Sequence, residues 1–392
     1  MKKIVALILA LVMVLSLAAC GGNADAPAAD DSKNDAPAVQ PEGGEAVQLP
    51  VPYPEKTVKI GVEIYDPTDS ETLTMQAYFE ELVKDGLNVE FIYSEAIASA
   101  EAEFQFIDDC YNAGCKGIIG FYNVAMGETV QKCVDYGMYY WGAAIDGPDV
   151  IDKFQDNPYV LDAIGYGNGD YEGGYALGEY FGKLGAKKVI YASGGAAFGV
   201  PMFVNRAEGF KAAAEKYGIE YIEVAGFPGD AFFADQAAAL SEDVDGVAAS
   251  FNGLDFWAQP IAVAGKTETC PLATIGAIDQ GYADAFANGS VSFMSSTNVS
   301  RFALGVALIV NAVDGNAEAL QNDGRIGIYT SALWMLDNAE AAQTAANLAA
   351  KVYHLEDLEQ LIVALNPEAN AQTLADLVNA SATLEGIQAL HE

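Results

Sequence analysis

The sequence predicts an α/β protein: two doubly wound parallel-sheet lobes joined by a three-segment hinge, with a helical C-terminal extension. Three observations predict it. From Lys56 onward, strand-like runs of β-branched and aromatic residues alternate with amphipathic helical stretches, the pattern of a parallel sheet covered by helices on both faces. The alternation restarts near Val160, so the chain carries two consecutive sets. From Asn338 the chain is rich in Ala, Leu and Glu and reads as helices alone.

Each element has its own signal. Residues 58–64 are the first strand. Thr68 and Glu71 have capping-box spacing before a helix whose Met75, Tyr78, Phe79 and Leu82 fall on one face, and Gly86 stops it. A strand over 88–93, a helix over 100–113, a strand over 117–121, a helix over 126–136 and a strand over 139–143 follow. The second set opens with a strand over 160–165 and a helix over 171–184 capped by Asp170. It continues with a strand over 188–192, a helix over 204–217 closed by Gly218, a strand over 221–225, a helix over 233–240 and a strand over 246–250. A helix near 256–264 and strands near 272–276 and 291–294 complete it, before a helix over 302–313 and a short strand over 326–329.

Two segments of another kind precede the sheet pattern. Lys2 and Lys3 lead into an apolar stretch, 4–15, and then into Leu17-Ala18-Ala19-Cys20-Gly21-Gly22. The apolar run is short of the ~20 residues that a membrane span requires. This order of parts resembles the lipobox leader of bacterial lipoproteins. The resemblance implies removal of residues 1–19 as a signal peptide and a lipid on Cys20, which anchors the mature chain to the cell membrane on its extracytoplasmic side. Residues 20–55 hold Ala, Asp, Pro, Gly, Asn and Glu with little that is bulky, and are expected to be a disordered tether.

Composition excludes several function classes. The formal charge of −36 leaves no basic stripe to neutralise phosphates, so no nucleic-acid partner is expected. Beyond Cys20 the cysteines are Cys110, Cys115, Cys133 and Cys270; a chain this large needs no disulfide framework, and buried free thiols are the favoured reading. His354 and His391, the only histidines, both lie in the tail, so neither a metal site nor a cofactor is expected. The chain has no GxxxxGK[ST], GxSxG or HExxH. Gly165-x-Gly167-x-Gly169 lacks the third glycine of a dinucleotide fingerprint and reads as a flexible turn. Without a histidine in the body, common acid–base and nucleophile sets lack their usual partner, and no catalytic residues are assigned. Carboxylate-only chemistry stays open, since acids are plentiful.

Several motifs recur in one order. They are Asp170-Tyr171-Glu172-Gly173-Gly174-Tyr175, Arg206-Ala207-Glu208-Gly209-Phe210, Val244-Asp245-Gly246-Val247 leading to Phe251-Asn252-Gly253-Leu254-Asp255, Ile275-Gly276-Ala277-Ile278-Asp279, and Ser296-Thr297-Asn298. With them, residues 56–329 resemble the type I periplasmic substrate-binding proteins, the ribose-binding kind. The resemblance implies an N-terminal lobe of 56–164 plus 298–328 and a C-terminal lobe of 165–297 plus 329–392, the latter carrying the tail. Chain crossings are expected near 163–167, 297–299 and 328–330.

The same resemblance implies a ligand site between the lobes. Arg206, Asn252, Asp279 and Asn298 would meet ligand hydroxyls, with Asp66 at the end of the first strand; Asn, Asp and Arg supply the paired donors and acceptors that a polyol needs. Tyr65, Tyr122 with Asn123, Trp141, Phe198 and Trp257 lie near strand ends or in the loops that follow, where rings can cover C–H faces. The family's Asp-Arg pair after the fourth strand is replaced by Ala143-Ala144-Ile145-Asp146, which turns the expectation away from ribose itself. The implied function is capture of a small polar ligand, a carbohydrate first, for delivery to an ABC transporter permease. The alternatives are a nucleoside or furanosyl-signal receptor and a carboxylate-based cell-surface glycoside hydrolase.

Overall fold

Strands and amphipathic helices alternate along the chain at the spacing expected of them. The structure, a computed structural model, describes residues 53–142, 148–165, 167–321, 324–349 and 351–391. The leader, Cys20, nearly all of the tether and the 143–147 loop lie outside the described residues. In chain order come β1 (Tyr53–Glu63), α1 (Ser70–Asp85), β2 (Leu87–Tyr93), α2 (Ala100–Ala113), β3 (Gly117–Gly120), α3 (Met126–Tyr136), β4 (Tyr139–Gly142), α4 (Pro148–Phe154) and β5 (Ala163–Gly165). The second run is α5 (Gly169–Leu184), β6 (Lys188–Gly194), α6 (Pro201–Tyr217), β7 (Glu220–Ala225), α7 (Asp230–Ser241), β8 (Val247–Ala249), α8 (Gln259–Val263), β9 (Leu272–Ala277), α9 (Gln280–Ala287), β10 (Phe293–Thr297) and α10 (Ser300–Val313). Last come β11 (Ile328–Thr330), β12 (Trp334–Leu336), α11 (Ala339–Ala349), α12 (Leu355–Glu359), α13 (Ala371–Ala380) and α14 (Leu384–Leu390).

Among the described residues the strands form a four-stranded sheet, β2-β1-β3-β4, a six-stranded sheet, β12-β10-β9-β8-β6-β7, and a pair, β5 with β11. Only β12 runs antiparallel to its neighbour. Two parallel-sheet lobes are therefore present, as the alternation predicted. Met75, Tyr78, Phe79 and Leu82 are buried along α1, and Phe79 stacks on Phe91 of β2 with ring centroids 4.2 Å apart. α10 is buried along most of its length. A Cβ on its Gly305 would fall 2.4 Å from the Trp141 ring, so the tryptophan fits only over a glycine.

α5 and α6 cross backbone to backbone. A Cβ on Gly174 would lie 1.9 Å from the Arg206 carbonyl oxygen, and one on Gly209 would lie 2.0 Å from that of Tyr171. This close crossing sets Asp170 beside Arg206. Two expected crossing segments run side by side: Ala163, Ile164 and Gly165 pair with Ile328, Tyr329 and Thr330.

Local readings are corrected at several points. Asp69, not Thr68, caps α1, because its Oδ1 accepts the Glu71 amide, while Thr68 is held in a turn by Asp66. Asp170 caps nothing, since α5 starts at Gly169 and the carboxylate is taken by Arg206. β1 begins at Tyr53, inside the expected tether, because Tyr53 pairs with Leu87 and its hydroxyl bonds Asp314. The helix read near 256–264 starts as a π turn, Leu254–Ala258, before α8. Three short elements had no expectation: α4, α9, and β12, which zips onto β10. Cys110, Cys115, Cys133 and Cys270 are buried free thiols.

The tail, read with the second lobe, touches elements of both sheets. Gln343 of α11 exchanges hydrogen bonds with Gln280 at the start of α9, at 3.0 and 3.1 Å. Tyr353 then docks on α1: the Tyr78 hydroxyl donates to its carbonyl at 2.7 Å and accepts its amide at 2.9 Å. Asn311 of α10 holds both Leu361 and Val363, and Trp334 Nε1 donates to the Ser381 carbonyl at 3.0 Å.

Candidate functional site

Loops leaving β1 and β8 meet between the two sheets. Asn252 Nδ2 donates to Asp69 Oδ2 at 3.2 Å. Asn252 does so from φ +35, a left-handed backbone that asparagine tolerates better than most residues. The next amide, Gly253, is fixed by Thr274 Oγ1 at 2.9 Å.

One turn into α1, Glu71 faces Arg301 Nη2 at 3.3 Å, with the Arg301 side chain only 4% exposed. The guanidinium also lies over the Phe302 ring, 4.9 Å from its centroid. Burial raises the Glu71 carboxyl above its usual range; Arg301 pulls it down, Asp69 pushes it up and Arg206 pulls it down again. Arg206 projects from α6, beside the other sheet. Its Nε donates to Asp170 Oδ1 at 2.8 Å and its Nη1 to the Ser250 carbonyl at 2.7 Å. Two of its five donors are spent on holding the fork in place, which leaves the rest of the planar group for a ligand.

Further acids gather near Asp69. Asp279 caps α9, accepting the Tyr282 amide at 2.8 Å with one oxygen. The Asp255 carboxyl is raised by burial first, then by Asp279 and by Asp69, so the three acids share one neighbourhood. Rings flank the polar centre. Tyr65 and Tyr122 are both exposed, with centroids 5.4 Å apart. The Tyr65 hydroxyl is pushed up to about 12 by burial and then by Asp69 and Asp66. On the other side Phe203 meets Phe227 at 5.6 Å and Phe251 at 5.5 Å, and Phe251 meets Phe256 at 5.8 Å.

Of the expected residues, Tyr65, Tyr122, Arg206, Asn252 and Asp279 surround this centre. Asp66 is spent on its own turn, accepting both the amide and the hydroxyl of Thr68. Asn123 is consumed in a buried network: its amide serves Glu63 and Glu103 at 2.8 Å each, and its oxygen accepts from Tyr140 at 2.9 Å. Burial and then Glu103 raise the Glu63 carboxyl well above its usual range. Trp141 and Trp257 are core residues, fully buried, against Phe302 and Phe232 respectively. Asn298 braces a chain crossing through Ser300 and the Ala332 carbonyl. The Phe198 side chain lies outside the described residues.

Sequence reasoning missed Asp69, Glu71, Asp255, Arg301 and the phenylalanine cluster. One signal was available for Arg301. The chain has three arginines, and this one opens a helix that carries no other charge. A cation buried there demands an anionic partner.

No family model matches the chain, and no curated protein matches it. Solved structures do. An ABC transporter solute-binding protein from Bacillus halodurans C-125, with bound myo-inositol, superposes with a TM-score of 0.58 at 17% identity, over 74% of this chain and 98% of that one. A periplasmic ABC transporter solute-binding protein from Actinobacillus succinogenes 130z, with bound D-allose, gives 0.60 at 13% identity, over 73% and 99%. The binding-protein component of the arabinose ABC transporter from Shewanella sp. ANA-3, bound to α- and β-L-arabinofuranose, gives 0.56 at 14% identity, over 79% and 98%. At such identities the shared property is the fold, an α/β architecture with parallel-sheet lobes.

Proposed function

We propose that this protein is an extracytoplasmic solute-binding lipoprotein, tethered by lipid on Cys20, that closes around a small polar ligand and delivers it to an ABC transporter permease. A sugar is the first ligand class. One observation carries the reading: Arg301 pairs with Glu71 at 3.3 Å where Asn252, from the other sheet, reaches Asp69 at 3.2 Å, at a junction rimmed by Tyr65 and Tyr122. Fixed guanidinium and carboxylate groups match adjacent hydroxyls, and exposed rings suit the C–H faces of a sugar. The fold supports it too, since neighbours of this shape carry bound sugars or a cyclic polyol.

In this reading 56–164 with 298–328 forms one lobe and 165–297 with 329–392 the other, rotating about the paired crossings, as hinge closure does in periplasmic binding proteins. Arg206, Arg301, Asn252, Asp279, Tyr65 and Tyr122 contact the ligand. The chain is not an enzyme in this reading, because the polar centre offers carboxylates and guanidiniums but no histidine or paired nucleophile. The test is a thermal-shift screen against pyranoses, furanoses, polyols and nucleosides, followed by titration of Arg206→Ala. One compound should raise the melting temperature, and the variant should bind it roughly tenfold to a hundredfold more weakly, the cost of a charged hydrogen bond. Turnover of a glycoside panel would move the assignment to a carboxylate hydrolase, and full affinity in Arg206→Ala would remove that residue from the site.

A further inference from the structure

The only two histidines of the chain, 37 positions apart, come together in the tail. Their rings stack with centroids 3.9 Å apart at an interplanar angle of 20°. The ligand atoms of His354, Asp357 and His391 all lie within 4.8 Å of one another, and Asp357 is buried. From the geometry we infer a binding site for a zinc-class divalent metal ion at His354, Asp357 and His391.

Proton placement supports it. His391 Nε2 sits 3.2 Å from the Val352 carbonyl oxygen. A carbonyl only accepts, so the proton is on Nε2. That is the outer hydrogen bond that commonly orients a metal-binding imidazole. His391 Nδ1 then faces Asp357 Oδ2 at 3.6 Å. Either a second ring proton or a metal ion must lie between these two atoms. A shared proton would draw the atoms to about 2.7–2.9 Å. The observed gap is nearer the ~3.3 Å that separates two ligands each ~2.0–2.1 Å from a tetrahedral zinc ion. Asp357 is itself oriented, accepting the His354 amide at 2.8 Å. Imidazole and carboxylate together suit zinc, and the exposed side of the site leaves a position for water.

The surroundings favour a cation. The groove beside His354 is lined by Asp85 of α1 and by Glu356 and Glu359, with Lys351, and by Glu81, which pairs with Lys84 at 3.1 Å. Such a field concentrates divalent ions. Position gives the ion a structural role. His354 follows Tyr353, which is bonded to Tyr78 of α1, and His391 follows α14. A metal here clips the end of the tail to the segment docked on the first lobe.

The test uses the full chain, stripped with EDTA and titrated with zinc chloride, with magnesium chloride as control. Calorimetry should show one zinc per chain. A hundredfold excess over the dissociation constant should raise the melting temperature by about 3 °C or more. Cobalt should give the visible absorption of a tetrahedral centre. His354→Ala and His391→Ala should each abolish the zinc shift; both positions are exposed, so the variants should fold. A zinc shift equal in both variants, or matched by magnesium, would place the ion on the surface acids and overturn the site. No zinc shift in the wild type together with no cobalt spectrum would overturn it outright.

Discussion

Asn252 reaches the carboxylate of Asp69 with its amide, 3.2 Å from Oδ2, while the other oxygen of Asp69 caps α1 through the Glu71 amide at 2.9 Å. One side chain thus starts a helix beside the first sheet and holds a loop of the second. Asn252→Gly should relieve the left-handed backbone and remove the link. Small-angle scattering of the ligand-free protein should then show a larger radius of gyration. Melting should change little, because a partly exposed hydrogen bond is worth about 1 kcal/mol. An unchanged radius with weakened ligand binding would assign Asn252 to the ligand alone.

Arg301 and Glu71 form a pair with 4% and 18% of their side chains exposed. Removing the guanidinium strands a carboxylate that has little water around it. Arg301→Met should cost ~3 kcal/mol, the low end for a broken buried pair, read from the urea midpoint. Adding Glu71→Gln should recover part of that loss, because no charge is then left alone. Losses that simply add in the double variant would show that the two residues are not coupled.

Legibility tracked how local the cause was. Met75, Tyr78, Phe79 and Leu82 betray α1 because a helix repeats its face every few residues, and Gly86 marks its end because the cap needs φ +124. Helices 100–113 and 126–136 were readable to the residue for the same reason. β12 was not: three residues that pair with β10, some 40 positions away, leave no local trace. The site divides in the same way. Asn252 and Asp279 follow strands of the second sheet, where an open parallel sheet presents its loops, and Arg206 was carried by its helix motif. Asp69, Glu71 and Arg301 acquire meaning only through each other, from α1 and α10. Trp141 and Asn123 went astray because a strand end does not tell which way a side chain faces. The histidines were set aside because there are only two and both lie in the tail; the sequence does not show that the fold stacks their rings.

Gly174 offers a test of how the scaffold aims Arg206. A methyl group there would fall 1.9 Å from the Arg206 carbonyl oxygen, a backbone atom that cannot rotate away. Gly174→Ala must push α5 and α6 apart, at a cost of ~1–3 kcal/mol or more. The Asp170–Arg206 bond spans the same crossing, so ligand affinity should fall together with the melting temperature. Gly185→Ala, with nothing within 4 Å but a left-handed φ of +77, should lower stability while sparing affinity. Intact affinity in Gly174→Ala would mean that the crossing does not position the arginine.

Asp162, beside the β5–β11 pair, should make stability depend on pH. Its Oδ1 accepts the Gly327 amide at 2.5 Å, and its Oδ2 has no hydrogen-bond partner among the described residues. Burial pushes its carboxyl up to about 7, against the opposing pull of the Gly327 amide. Below its ordinary value of 3.8 the group is protonated folded or unfolded, and its contribution to stability is fully present. Between there and about 7 the unfolded chain releases a proton that the folded protein keeps, so stability falls as the pH rises, and the loss is complete above about 7. Asp162→Asn retains the acceptor for Gly327 and carries no charge. The variant should gain on the wild type steadily from pH 4 to pH 7. By pH 8 it should lead by ~1–3 kcal/mol, the cost of a buried polar group left unsatisfied. Urea midpoints of both proteins across that range provide the check. Parallel curves would mean that the Asp162 carboxyl titrates alike in the folded and unfolded chain, and that the crossings owe no pH dependence to it.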